Sequence, residues 1–89
     1  MTTAAFEERL KSDGYVEIET KRLDPRPANG EHGHHFDVRG LVLEGAFIVT
    51  LEGVARTYGP GDVFEVAAGQ LHFEEVGPDG TTVMVGRKY

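Results

Sequence analysis

Three of the four histidines of this 89-residue chain fall within four positions of the stretch EHGHHF, as His32, His34 and His35, and His72 follows 38 residues after His34. Imidazole changes charge near neutrality and is the commonest side-chain metal ligand, so a cluster of this kind points to metal binding or proton transfer. Side chains two apart in a strand share a face. Read at the head of a strand, His32 and His34 project together and His35 turns the other way, to solvent. Two imidazoles on one face supply half of a metal site with no backbone distortion. If a strand starting at His72 neighbours the first in a closed sheet, three imidazoles converge. Three histidines leave coordination positions open, as reactive metal sites require. Glu74 lies two residues after His72 and shares its face, where it could serve as a fourth ligand, an anchor for water or a general base. Asp37 faces away from His34 in a regular strand and reaches it only through a bulge, and Glu75 points outward.

Several elements must position these side chains. Residues 1–14 read as one short helix capped by Thr2 or Thr3, with Glu7 and Glu8 placed early, Lys11 late, Phe6 and Leu10 on one apolar face and Gly14 as the stop. About ten residues are too few for an independent helix, so it packs on something larger. From Tyr15 the period changes to two: Val16, Ile18 and Thr20 alternate with Glu17, Glu19 and Lys21 as in a half-buried strand. DPRPANG reads as a loop because its two prolines cannot hold a ladder. From His32 onward, short β-prone runs are separated by glycine-rich turn signals, including GPG at 59–61, AAG at 67–69 and GPDG at 77–80. LEG recurs at 43–45 and 51–53, which reads as a shared turn rhythm. The pattern is that of an all-β sandwich or barrel occupying residues 15–89.

The second half of the histidine set lies in GPGDVFEVAAGQLH, where Pro60-Gly61 suits a turn, 62–66 a short strand, Ala68-Gly69 another turn, and His72 the start of the next strand. With the first cluster, this stretch resembles the two motifs of the cupin superfamily, G-x5-H-x-H-x3–4-E-x6-G and G-x5-P-x-G-x2-H-x3-N, in the family's order and over about residues 28–76. The resemblance implies a cupin-type jelly-roll β-barrel. It carries the first motif's ligand histidines onto His32 and His34 and its closing glycine onto Gly45. It carries the second motif's glycines onto Gly61 and Gly69 and its histidine onto His72. Three positions depart from the pattern: Val38 stands where the family places a ligand glutamate, Ala67 at the proline and Val76 at the asparagine. Valine cannot bind a metal, so the centre is three-histidine unless another carboxylate substitutes, and Glu74 is the candidate. In such a barrel Phe36 shares the face of His34 as a wall residue. Phe47, Phe64 and Met84 are lining or core. Gln70, two before His72, could offer its amide to a substrate. Arg39 reads as surface or interface.

The net charge of −6, with nine basic residues scattered along the chain, excludes the basic face that nucleic acid or a membrane surface would need. The absence of cysteine excludes disulfides and thiolate ligands. No apolar run spans a membrane and no export signal is apparent, which makes the cytoplasm the expected compartment. A core this small gains from a second copy covering its strand edges, so a homodimer is expected. The cofactor expected is one divalent first-row transition metal: Fe, Mn, Ni or Zn. The expected function is chemistry on a small oxygen-bearing molecule, dioxygenase-like with iron or Lewis-acid chemistry with zinc or nickel, with Glu74 moving a proton. A non-catalytic sensor holding a metal or small ligand is the alternative.

Overall fold

A computed structural model describes residues 1–89 and shows helix α1 (Thr3–Ser12) followed by five strands, β1 (Val16–Leu23), β2 (Asp37–Leu51), β3 (Val54–Tyr58), β4 (Val63–Val66) and β5 (His72–Lys88). Thr2 caps α1, its hydroxyl accepting from the Ala5 N–H at 3.1 Å. Glu7 and Glu8 fall beyond the first turn, where the helix dipole no longer rewards them, and Glu7 instead pairs with Lys11 one turn on at 3.1 Å. Gly14 leaves the helix with φ +87°, a value open to glycine.

The two long strands organise the fold. The C-terminal half of β5 pairs antiparallel with β1 on one side and with residues 37–45 of β2 on the other, and β4 adds to that half of β2. The N-terminal half of β5 pairs with residues 47–51 of β2, which also carry β3. The loop after β1 runs along the free side of this half through bridges Arg26–Val76 and His32–His72. β2 and β5 thus each serve two layers, bending between them. Two turn signals of the sequence prove to be these bends: LEG at 43–45 and GPDG at 77–80 lie inside continuous strands. Gly45 and Gly80 both have φ +75°, and a Cβ on Gly45 would stand 1.9 Å from the Gly80 carbonyl oxygen, so the bends touch backbone to backbone. The second LEG is a true hairpin, with Glu52 (φ 50°) and Gly53 (φ 79°) between the paired Leu51 and Val54.

Inside lies a cluster of Val42, Phe47, Val49, Phe64, Val66, Val76 and Val83. On the outer face α1 lays Phe6 and Leu10 against Tyr15, Leu41 and Met84, which is therefore core beneath the helix and no part of the barrel lining. Gly86 leaves room for this packing, since a Cβ there would meet Tyr15, Ile18 and Leu10 at 3.2–3.3 Å. Arg39 fastens the same face: it bonds Asp13 and Glu65 (2.7 Å to the latter) and stacks 4.6 Å from the Tyr15 ring centre. The alternation expected of β1 holds only in part. Glu17 has φ 53° and the pairing slips between Val16 and Glu19, so the faces exchange. Val16 and Thr20 end up exposed, while Lys21 and Leu23 turn toward the interior.

Candidate metal centre

His32 and His34 do not lie within a regular strand, as their spacing suggested. β2 begins at Asp37, and His32 sits in an isolated bridge opposite His72. Pro25 and Pro27 flank Arg26 in the loop and have no N–H to donate, so only alternate points of the segment tie to β5. Arg26 exchanges both backbone bonds with Val76 (3.3 and 3.0 Å), Asn29 holds Glu74 through its backbone N–H and its side-chain Oδ1 (3.2 and 3.1 Å), and His32 exchanges both with His72 (3.0 and 2.9 Å). This zipper brings the His32 and His72 rings to 4.4 Å. His34 is placed from another direction: its carbonyl accepts from the Gly69 N–H at 2.8 Å, and Asp37 accepts from the Ala68 N–H at 2.8 Å. The turn before His72 is thereby pinned to the segment carrying His34, whose ring stands 5.2 Å from each of the other two. Asp37 is committed to this turn.

Possible ligand atoms of His32, His34, His72 and Glu74 all lie within 4.8 Å of one another. Glu74 Oε2 stands 3.6 Å from His32 Nε2 and Oε1 stands 3.4 Å from His72 Nε2. Two donors each about 2.1 Å from one ion at a tetrahedral angle stand about 3.4 Å apart, so these separations suit a shared cation. The tautomers point the same way. His32 Nδ1 lies 3.0 Å from the Gly30 carbonyl and His72 Nδ1 lies 3.0 Å from the Gln70 carbonyl, contacts that only a protonated Nδ1 can make. In the neutral form of each ring this leaves the Nε2 lone pair facing the cluster. His72 is 1% exposed, and its Nε2 is a buried polar atom with no hydrogen-bond partner. Glu74 Oε1 is within ion-pair reach of that atom without the alignment of a hydrogen bond. An orphaned lone pair of this kind costs about 1–3 kcal/mol, and a cation at the centre would satisfy it. Burial, aided by the neighbouring His72, His32 and Arg87 charges and opposed by Glu74, holds the His34 pKa below its ordinary value and so favours the neutral ring that a metal needs.

Beside the cluster opens a cavity of about 260 Å³. His34, Glu74, Phe36, Phe47 and Phe64 line it, and Phe36 stacks on the His34 ring at 4.9 Å between centroids with the planes 10° apart. Val38, at the position that the cupin pattern gives to glutamate, also faces the cavity, and the carboxylate grouped with the histidines is that of Glu74 on another strand. Gln70 does not line it, contrary to expectation. Its amide oxygen accepts from the Ala67 N–H at 3.2 Å and closes the turn before His72. His35 and Glu75 are exposed. Sequence reasoning missed the cations of the cavity, Lys21, Arg26 and Arg87. Arg87 was legible, because Val83, Val85 and Arg87 alternate onto one face. Lys21 was not, because the β1 bulge reversed its side.

No protein-family profile and no curated protein sequence matches the chain. Solved structures do. A Rhizobium leguminosarum protein of unknown function superposes with a TM-score of 0.72 at 22% identity, over 80% of this chain and 67% of its own. A cupin-2 domain protein from Shewanella frigidimarina gives 0.68 at 15% identity over 81% and 69%. KdgF from a Halomonas species gives 0.61 at 23% identity, covering 89% of both chains. At these identities the likeness establishes the fold, which is the cupin jelly roll.

Proposed function

We propose that this cupin-fold chain is a metal-dependent domain in which His32, His34 and His72 hold one divalent first-row ion, Fe, Mn, Ni or Zn, with Glu74 beside them, and that it acts on a small oxygen-bearing molecule in the adjoining cavity. The observation that carries this reading is the buried, partnerless Nε2 of His72, aimed with its neighbours at one point. When bound, such an ion supplies Lewis acidity and, in the case of iron, dioxygen chemistry. The chain's own residues do the rest. Gly30 and Gln70 carbonyls hold the His32 and His72 rings in the ligating tautomer. The phenylalanines and Val38 keep water from much of the cavity wall. Glu74, 22% exposed in its side chain, has one oxygen toward His72 and the other toward His32 and Arg26, where it can take a proton from a molecule in the cavity and return it.

Elemental analysis of protein purified without a histidine tag tests this, with about one equivalent of metal per chain expected and none from His34→Ala. Wild-type metal content near zero after growth in supplemented medium, or an unchanged content in the variant, refutes the assignment. Turnover of small diketones, thiols or phenolic acids under air identifies the enzyme and excludes the non-catalytic sensor. We further propose a homodimer, because β3 pairs with β2 alone and leaves its other edge free, with Val54 56% exposed. A monomer in sedimentation at tens of micromolar excludes it.

A further inference from the structure

The cavity beside the histidine cluster runs against the charge of the molecule. The chain carries a net charge of −6 and only nine Lys and Arg, yet three of those nine are among the twelve residues lining this one cavity, where Glu74 is the single carboxylate. The three arrive from separate places: Lys21 from β1 after its bulge, Arg26 from the proline-flanked loop, and Arg87 from the end of β5. None is locked in a buried pair. Lys21 meets Glu19 at 3.0 Å and Arg87 meets Glu17 at 3.7 Å, both acids being 55% exposed, and such surface pairs hold a cation only weakly. Arg26 reaches Glu74 at 3.4 Å. Arg87 also lies over the Phe36 ring, 4.6 Å from its centre, which fixes its guanidinium at the cavity wall. Seven of the twelve lining residues are hydrophobic, Phe47 and Val83 among them.

From this arrangement we infer that the cavity takes a small organic monocarboxylate, its anionic end on Arg87 and Lys21 and its apolar body along the Phe47 and Val83 wall. Guanidinium matches a carboxylate with two parallel hydrogen bonds, and the lysine adds a point charge. Inorganic phosphate fits less well, because it has no apolar body to lay along the seven hydrophobic lining residues. The inference rests on the proposed function only in placing the ligand beside the same cluster, since the cations bind an acid whether or not a metal is present.

Backbone amide shifts in the isotope-labelled full chain test it, with butyrate, 2-oxobutyrate, benzoate and salicylate each titrated against its neutral amide, and with inorganic phosphate as a separate arm. At least one acid is expected to give saturable shifts along β1 and the C-terminal half of β5, and its amide to bind roughly tenfold or more weakly. Lys21→Gln and Arg87→Gln are each expected to weaken that acid about tenfold while the spectrum stays that of the folded protein. No saturable binding by any acid, equal binding of acid and amide, preference for phosphate, or full affinity in both variants overturns the inference. Metal content measured on the same samples separates the two proposals. Carboxylate binding without metal leaves this inference standing and removes the metal reading, and metal without carboxylate binding does the reverse.

Discussion

Replacing His72 by phenylalanine separates a ligand from a core histidine. The ring is 1% exposed and makes one hydrogen bond, from Nδ1 to the Gln70 carbonyl, while Nε2 has no partner. In the metal-free protein, His72→Phe loses that bond, worth about 1 kcal/mol, and relieves the unsatisfied nitrogen, worth about 1–3 kcal/mol. The two terms oppose each other, so the net change lies between about zero and 2 kcal/mol of stabilisation. For a domain of this size 1 kcal/mol moves Tm by about 4–8 °C, so the variant should melt at or somewhat above the metal-free wild type. Metal reverses the order. At a free concentration a hundred times Kd it stabilises the wild type by about 2.7 kcal/mol, or roughly 11–22 °C, and the variant hardly at all. Calorimetry of chelator-stripped protein with and without added Fe²⁺, Mn²⁺, Ni²⁺ or Zn²⁺ reads both effects. A wild type indifferent to all four ions, or a variant that keeps the full rise, refutes the reasoning. A metal-free variant several degrees less stable would show that the ring's packing and its Nδ1 bond outweigh the unsatisfied Nε2.

Glu74→Gln keeps the shape and removes the base: metal should remain near one equivalent while turnover of an identified substrate falls roughly 10²–10⁴-fold, and unchanged turnover excludes Glu74 from proton transfer. Gly45→Ala forces a side chain into φ +75° and within 1.9 Å of the Gly80 oxygen, so denaturant unfolding should show a loss of about 2 kcal/mol or more, and a neutral result would contradict the touching bends. The Arg39 hydrogen bond, reinforced by the charges of Arg39, Arg9 and Lys88 and opposed by partial burial, holds the Asp13 pKa below its ordinary 3.8. A lowered folded pKa stabilises above the unfolded value, and the benefit disappears as pH falls through the folded one. The stability gap between wild type and Asp13→Asn should therefore be constant at neutral pH and close only in acid below 3.8; a gap that persists there assigns the effect to something other than this charge.

Much of this protein was legible locally. The helix is visible in the Thr2 cap and the Phe6–Leu10 spacing, the all-β body in the period of two, and the turns at Gly61 and Gly69 in their residues, because each depends on neighbours a few positions away. The convergence of His32, His34, His72 and Glu74 was also legible, although no regular strand carries His32 and His34. A proline-interrupted segment zipped onto β5 performs the same positioning. Tertiary structure decided what depends on pairing between distant segments. Whether a glycine ends a strand or bends it is settled by whether a partner continues the ladder, and Gly45 and Gly80 bend theirs because β2 and β5 pair on both sides of them. One residue of slip at Glu17 sent Lys21 inward, since a period of two carries no memory across a bulge. Direction relative to the interior is a property of the closed sheet, and only the closed sheet could bring Lys21, Arg26 and Arg87 to one cavity.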